Sequence, residues 1–99
     1  MKIDFTQELK DFSGEVLKMA ADAPNLTLKD VISLSIKTQL PEDATTPLDK
    51  KIELDRIGEL VWSEDGDMSV EQAAAIKERI SKVFSSPAVS GAVKRAIGG

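Results

Sequence analysis

The chain contains no histidine and no cysteine. Without histidine, the Ser-His-Asp and Cys-His arrangements that activate a nucleophile cannot be assembled. Without cysteine there are no disulfides and no thiolate ligands, and a metal would have to be held by oxygen donors alone. No apolar run is long enough to cross a bilayer. The start, Met1-Lys2-Ile3-Asp4, lacks the apolar stretch of a secretory leader, so the expected setting is the cytoplasm, with no membrane contact. The glycines at 58, 91, 98 and 99 form no phosphate-cradling loop. Carboxylates are plentiful, 17 in 99 residues, but at that density pairs at helical spacing arise by chance and none is marked as buried. The expectation is a non-enzymatic protein with no catalytic residue, no cofactor and no metal.

What the chain does have is punctuation. Leu26-Thr27-Leu28-Lys29-Asp30, Thr46-Pro47-Leu48-Asp49, Ser69-Val70-Glu71-Gln72 and Ser86-Pro87 each place a hydroxyl where it can accept a bond from an unpaired N–H at a helix start. In two of them proline follows, suiting the first helical position, where an N–H is dispensable. Apolar residues recur at helical spacing after each signal. They predict helices over about 28–40, 47–62, 70–84 and 87–97, the second with a broad apolar face suited to contact from two sides. Before them, Ile3, Phe5, Leu9, Phe12, Val16 and Leu17 approach alternation around Asp11-Phe12-Ser13-Gly14. Glycine there favours a turn, so the spacing predicts a β-hairpin over about 2–19, with a helix through Phe5, Leu9 and Phe12 as the rival. The expected fold is α+β, mainly α: a single domain over 1–99 with an N-terminal β-hairpin followed by four short helices.

Charge is unevenly spread. Residues 1–75 hold 8 basic against 16 acidic side chains, whereas residues 76–99 hold 5 against 1. Basic residues gather at helix ends for dipole reasons alone, and the alternative is a docking face for something acidic. Asp65-Gly66-Asp67 does not have the ligand spacing of a calcium loop and reads as a solvated turn. The segment around Ser85-Ser86-Pro87 suits a helix-turn-helix poorly, because Lys94 and Arg95 fall at the far end of the helix that would enter the groove. Trp62, the single tryptophan, is either a lid on the core or an interface anchor. Val89, Val93 and Ile97 lie on one line of the last helix beside Gly91 and Ala92, which permit close approach of another helix, from the same chain or a second copy.

Taken together, the expected β-hairpin with its glycine turn, the Leu26-Thr27-Leu28-Lys29-Asp30-Val31 segment, the middle helix rich in Lys, Glu and Leu, and the ending Lys82-Val83-Phe84-Ser85-Ser86-Pro87-Ala88-Val89-Ser90-Gly91 resemble a family of small proteins of tailed phages and prophages. The resemblance covers nearly the whole chain and departs from the family at Lys94 and Arg95. It implies a phage setting and no enzymatic activity. The leading expectation is therefore a protein that binds a phage or host protein during phage growth or assembly. Its candidate contact residues are Trp62, Asp65, Asp67, Val89, Gly91, Val93, Lys94 and Arg95, with a homodimer possible through the last helix. The alternative is a small DNA-binding regulator using Lys77, Arg79, Lys82, Lys94 and Arg95.

Overall fold

Four helices make up the regular structure of the described residues: α1 (Leu28–Lys37), α2 (Leu48–Trp62), α3 (Val70–Val83) and α4 (Pro87–Ile97), with one 3-10 turn at Pro41–Ala44 between α1 and α2. The computed structural model describes residues 3–63 and 66–97. Helix α1 packs against both α2 and α3, and α4 packs against α3. No helix among the described residues is long and apolar enough to cross a membrane.

The expected α+β class is overturned. The described residues contain no named strand and no sheet, and the N-terminal β-hairpin is absent; in its place isolated antiparallel bridges join Lys10 to Val16, Glu8 to Thr27 and Lys18 to Asn25. The turn itself is where glycine implied. Gly14 has φ +90°, and the Asp11 carboxylate accepts bonds from Ser13 N at 2.9 Å and Glu15 N at 3.1 Å. A ladder fails to grow from it because the pair following Lys10–Val16 would be Glu8 with Lys18, and both are committed elsewhere, to Thr27 and Asn25. Three leucines share the junction. Leu9 N donates to Leu26 O at 2.9 Å, Leu26 N to Leu17 O at 2.8 Å and Leu17 N to Leu9 O at 2.9 Å, a closed ring of backbone bonds. Ile3, Phe5 and Leu9 are buried, but turns at Phe5–Thr6 and Phe12–Ser13 interrupt the chain, and near-alternation could not specify which segments pair.

This irregular segment completes α1. Leu28 N donates to Gln7 O and Lys29 N to Phe5 O, while Asp30 N donates to the Thr27 hydroxyl and Val31 N to Thr27 O. With Thr27 as the cap, Val31 makes the first intrahelical bond, and the N–H groups of Leu28, Lys29 and Asp30, which the helix start leaves orphaned, are satisfied. The Asp30 carboxylate returns the bond by accepting from Thr27 N at 3.2 Å, a full capping box. At the other end α1 stops at Lys37, short of Leu40. Thr38 is already extended with its hydroxyl on Leu34 O at 2.7 Å, and Pro41 biases Leu40 away from helical geometry.

Helix α3 begins with the second capping box, Ser69 with Gln72. Thr46 does not cap α2 as its sequence implied. Pro47 occupies the cap position without a side-chain bond, and the Thr46 hydroxyl donates to Glu42 O at 3.0 Å. The broad apolar face of α2 is also narrower than expected: Ile57 and Val61 are buried, whereas Leu48 is 71% exposed and Ile52 is also exposed. The core is built from Phe5, Leu9, Leu28, Ile32, Ile57, Met68, Ile76, Ile80 and Val93. Gly66 admits Ile3 to it: φ is +78°, Ile3 N donates to Gly66 O at 2.7 Å, and a Cβ at this position would lie 3.0 Å from Ile3 O.

Candidate functional site

The expected contact residues do not form one surface. Val89 and Val93 are buried in the core with Ala92 and Ile97, so the apolar line of α4 is spent inside the molecule rather than offered to a partner. Gly91 faces its own helix: a Cβ there would sit 3.3 Å from Arg95 Nη1. Arg95 in turn donates from Nη2 to Lys10 O at 2.9 Å, tying α4 to the N-terminal segment, and Lys94 is exposed. Asp67 is exposed beside Gly66, and Asp65 lies outside the described residues.

The basic segment 76–99 is likewise not a continuous positive face. Arg79 is buried and reaches across to the end of α1, with Nε on Ser35 O at 2.7 Å and Nη2 on Thr38 O at 2.8 Å. Its two terminal nitrogens also grip both Asp43 carboxylate oxygens, each at 2.9 Å. Hydrogen bonds from Arg79, then from the Leu40 amide, hold the Asp43 carboxyl far below the usual carboxylate range. Lys82 bridges Glu42 at 3.1 Å and Glu78 at 3.3 Å, and those bonds raise its pKa. Two of the five cations grouped by sequence are thus occupied by carboxylates. A groove of about 410 Å³ beside them, bounded by Lys50, Glu53, Glu78 and Lys82, carries both signs of charge.

Trp62 is different. It occupies the last turn of α2 and is 63% exposed, so it is no lid on the core. Its ring is held by cations from α1, with Lys29 Nζ 4.3 Å and Lys37 Nζ 5.5 Å from the centroid. Such contacts are worth about 0.5–1 kcal/mol at an exposed ring and fix its orientation more than its burial. Two open hollows share Trp62, Ser33 and Lys37. The first, about 320 Å³, is walled by Met19, Ala23, Pro24 and Leu34, with Asp30 at its edge. The second, about 420 Å³, is walled by Ile36 and Gly58 and carries Asp55 and Glu59. Met19 and Leu34 are themselves exposed, so the first hollow and the ring form a continuous apolar surface.

Sequence reasoning singled out Trp62 and missed its surroundings. Lys29, Ser33 and Lys37 recur at four-residue spacing on the outer side of α1, a signal that could have identified one stripe; nothing local places Met19 against it. Among the described residues no group of three or more acidic side chains converges as a metal site would require. Comparisons with known protein families, with curated proteins and with solved structures returned no match.

Proposed function

We propose that the chain is a non-enzymatic protein-binding module whose docking face is Trp62 and the hollow bounded by Met19, Pro24, Leu34 and Lys37. The observation that carries this reading is the exposure of that ring while two lysines hold it in place. A tryptophan steadied in the free state loses little freedom on binding, and tryptophan is a frequent hot-spot residue. The apolar floor with ammonium groups at its rim suits a partner segment that carries an apolar side chain between carboxylates. Phage growth or assembly is the setting we propose, on the resemblance of the capped Leu-Thr-Leu start and the terminal Ser-Pro segment alone.

Contact with nucleic acid is the weaker reading, because Arg79 and Lys82 are engaged with Asp43, Glu42 and Glu78 and cannot release phosphate counterions without breaking those pairs. Affinity capture from the source cell with wild-type protein and with a Trp62→Ser variant tests the proposal. A partner retained by the first and lost by the second is the expected outcome. Recovery of the same proteins by both, or of none by either, overturns it.

A further inference from the structure

Among the described residues one large apolar side chain is more exposed than any other. Phe12, at 88% exposure, stands at the tip of the Asp11–Gly14 turn. The turn is rigid for its size: the Asp11 carboxylate binds Ser13 N, the Ser13 hydroxyl at 2.6 Å and Glu15 N, and Asp11 N donates to Glu15 O at 2.9 Å. Its foot is fixed to α4 by the Arg95 bond to Lys10 O. A phenyl ring is therefore presented to water on a loop whose backbone is already ordered, so covering it would remove apolar surface from water at little cost in backbone freedom. Between Asp11 and Glu15 the segment carries two carboxylates and no cation, Lys10 lying below at the foot. The hydrogen bonds from Ser13 lower the Asp11 pKa and so keep that charge in place.

We infer that the occupant of the Trp62 hollow is the Phe12 turn of a second copy of this chain. The complementarity is twofold: an apolar ring on an acidic turn matches an apolar hollow rimmed by Lys37 and the Lys29 ammonium over Trp62. It also selects between the hollows, since the second carries two carboxylates, Asp55 and Glu59, that would repel Asp11 and Glu15, whereas the first has only Asp30, whose carboxylate accepts the Thr27 cap bond. Phe12 does not fill its own chain's hollow, as its exposure shows. The contact joins two different patches, so two copies can exchange it reciprocally or pass it on head to tail. The inference rests on the Trp62 face being a docking site, and it replaces self-association through α4, whose apolar line is buried.

Light scattering at high micromolar concentration, with Trp62 emission recorded in parallel, tests this. Wild-type protein should exceed monomer mass, and its Trp62 emission should change with concentration. Phe12→Ser and Trp62→Ser should each weaken association by about thirty-fold, the scale of a hot-spot truncation. Mixing the two variants should restore a complex, because one retains the hollow and the other the ring. Lys37→Glu should weaken association about two- to fivefold and be rescued by Glu15→Lys in the same chain. Circular dichroism confirms folding of each variant, all four positions being exposed. A wild-type monomer throughout the range, a mixture that stays monomeric, or association indifferent to Phe12 overturns the inference. If wild type is monomeric while Trp62-dependent capture of another protein persists, the docking reading survives and only the second copy is excluded.

Discussion

Arg79 and Asp43 meet through two parallel bonds of 2.9 Å, and the same guanidinium spans the carbonyls of Ser35 and Thr38. One side chain thereby joins α3, the end of α1 and the 3-10 turn. Only a planar fork with several donors can do this, so lysine is not a substitute. Arg79→Met should lower stability by about 2–3 kcal/mol, because it strands a carboxylate and two carbonyl groups. Arg79→Lys should recover only part of that. Urea unfolding measures both, and a loss within error of zero would show that water replaces the clamp without cost.

The pH dependence follows from the same pair. A carboxyl whose folded pKa lies below its unfolded value stabilises the fold above the unfolded value, and that contribution is lost as protons are added. For Asp43 the loss should begin as pH falls through about 4, the ordinary aspartate range, and continue toward lower pH. Asp4 and Asp11, lowered by bonds from Thr6 and Ser13, act in the same direction. Urea midpoints from neutral pH downward should decline there, and an Asp43→Asn chain should start lower and decline less. Equal acid slopes for the two chains would count against this assignment.

The helix starts can be ranked. Thr27→Ala and Ser69→Ala each remove a hydroxyl that accepts a cap bond and should each cost about 1 kcal/mol, or about 4–8 °C in melting temperature. Thr46→Ala should cost less than about 0.5 kcal/mol, since its hydroxyl serves the preceding turn rather than α2. Thermal melts decide the order, and a Thr46 effect equal to the other two would contradict it.

Gly66 is constrained by both conformation and space. Gly66→Ala should destabilise by about 1–3 kcal/mol, because the backbone is left-handed and the added methyl group meets the carbonyl of Ile3. Gly14→Ala should cost less: its φ is also positive, but nothing lies within 4 Å of an added Cβ. Chemical denaturation of the two variants side by side tests the difference.

Local signals were legible and distant ones were not. Thr27 with Asp30 and Ser69 with Gln72 are each separated by three residues, so the capping chemistry is contained in four consecutive side chains. Arg79 finds Asp43 across 36 residues, and counting charges assigned it to a basic surface instead. Met68, fully buried, follows a run of acids and glycine with no periodic neighbour to announce it. Trp62 was open to two readings because helical spacing places it beside α1 without saying whether anything covers it. Its lysine clamp depends on how α1 crosses α2. The turn at Gly14 was visible in the sequence, but the partner of each arm was set by a third segment arriving at Leu26.

That three-way junction bears on how the molecule opens. Leu9, Leu17 and Leu26 each give one amide proton and receive one, so no member can leave without breaking two bonds at once. Chain that belongs to no helix would ordinarily fray piece by piece, whereas here release of any arm removes the closing partner of both others. Their amides should exchange with solvent deuterium at one common rate, and that rate should track the opening of α1, because the same segment supplies the acceptors for Leu28 and Lys29.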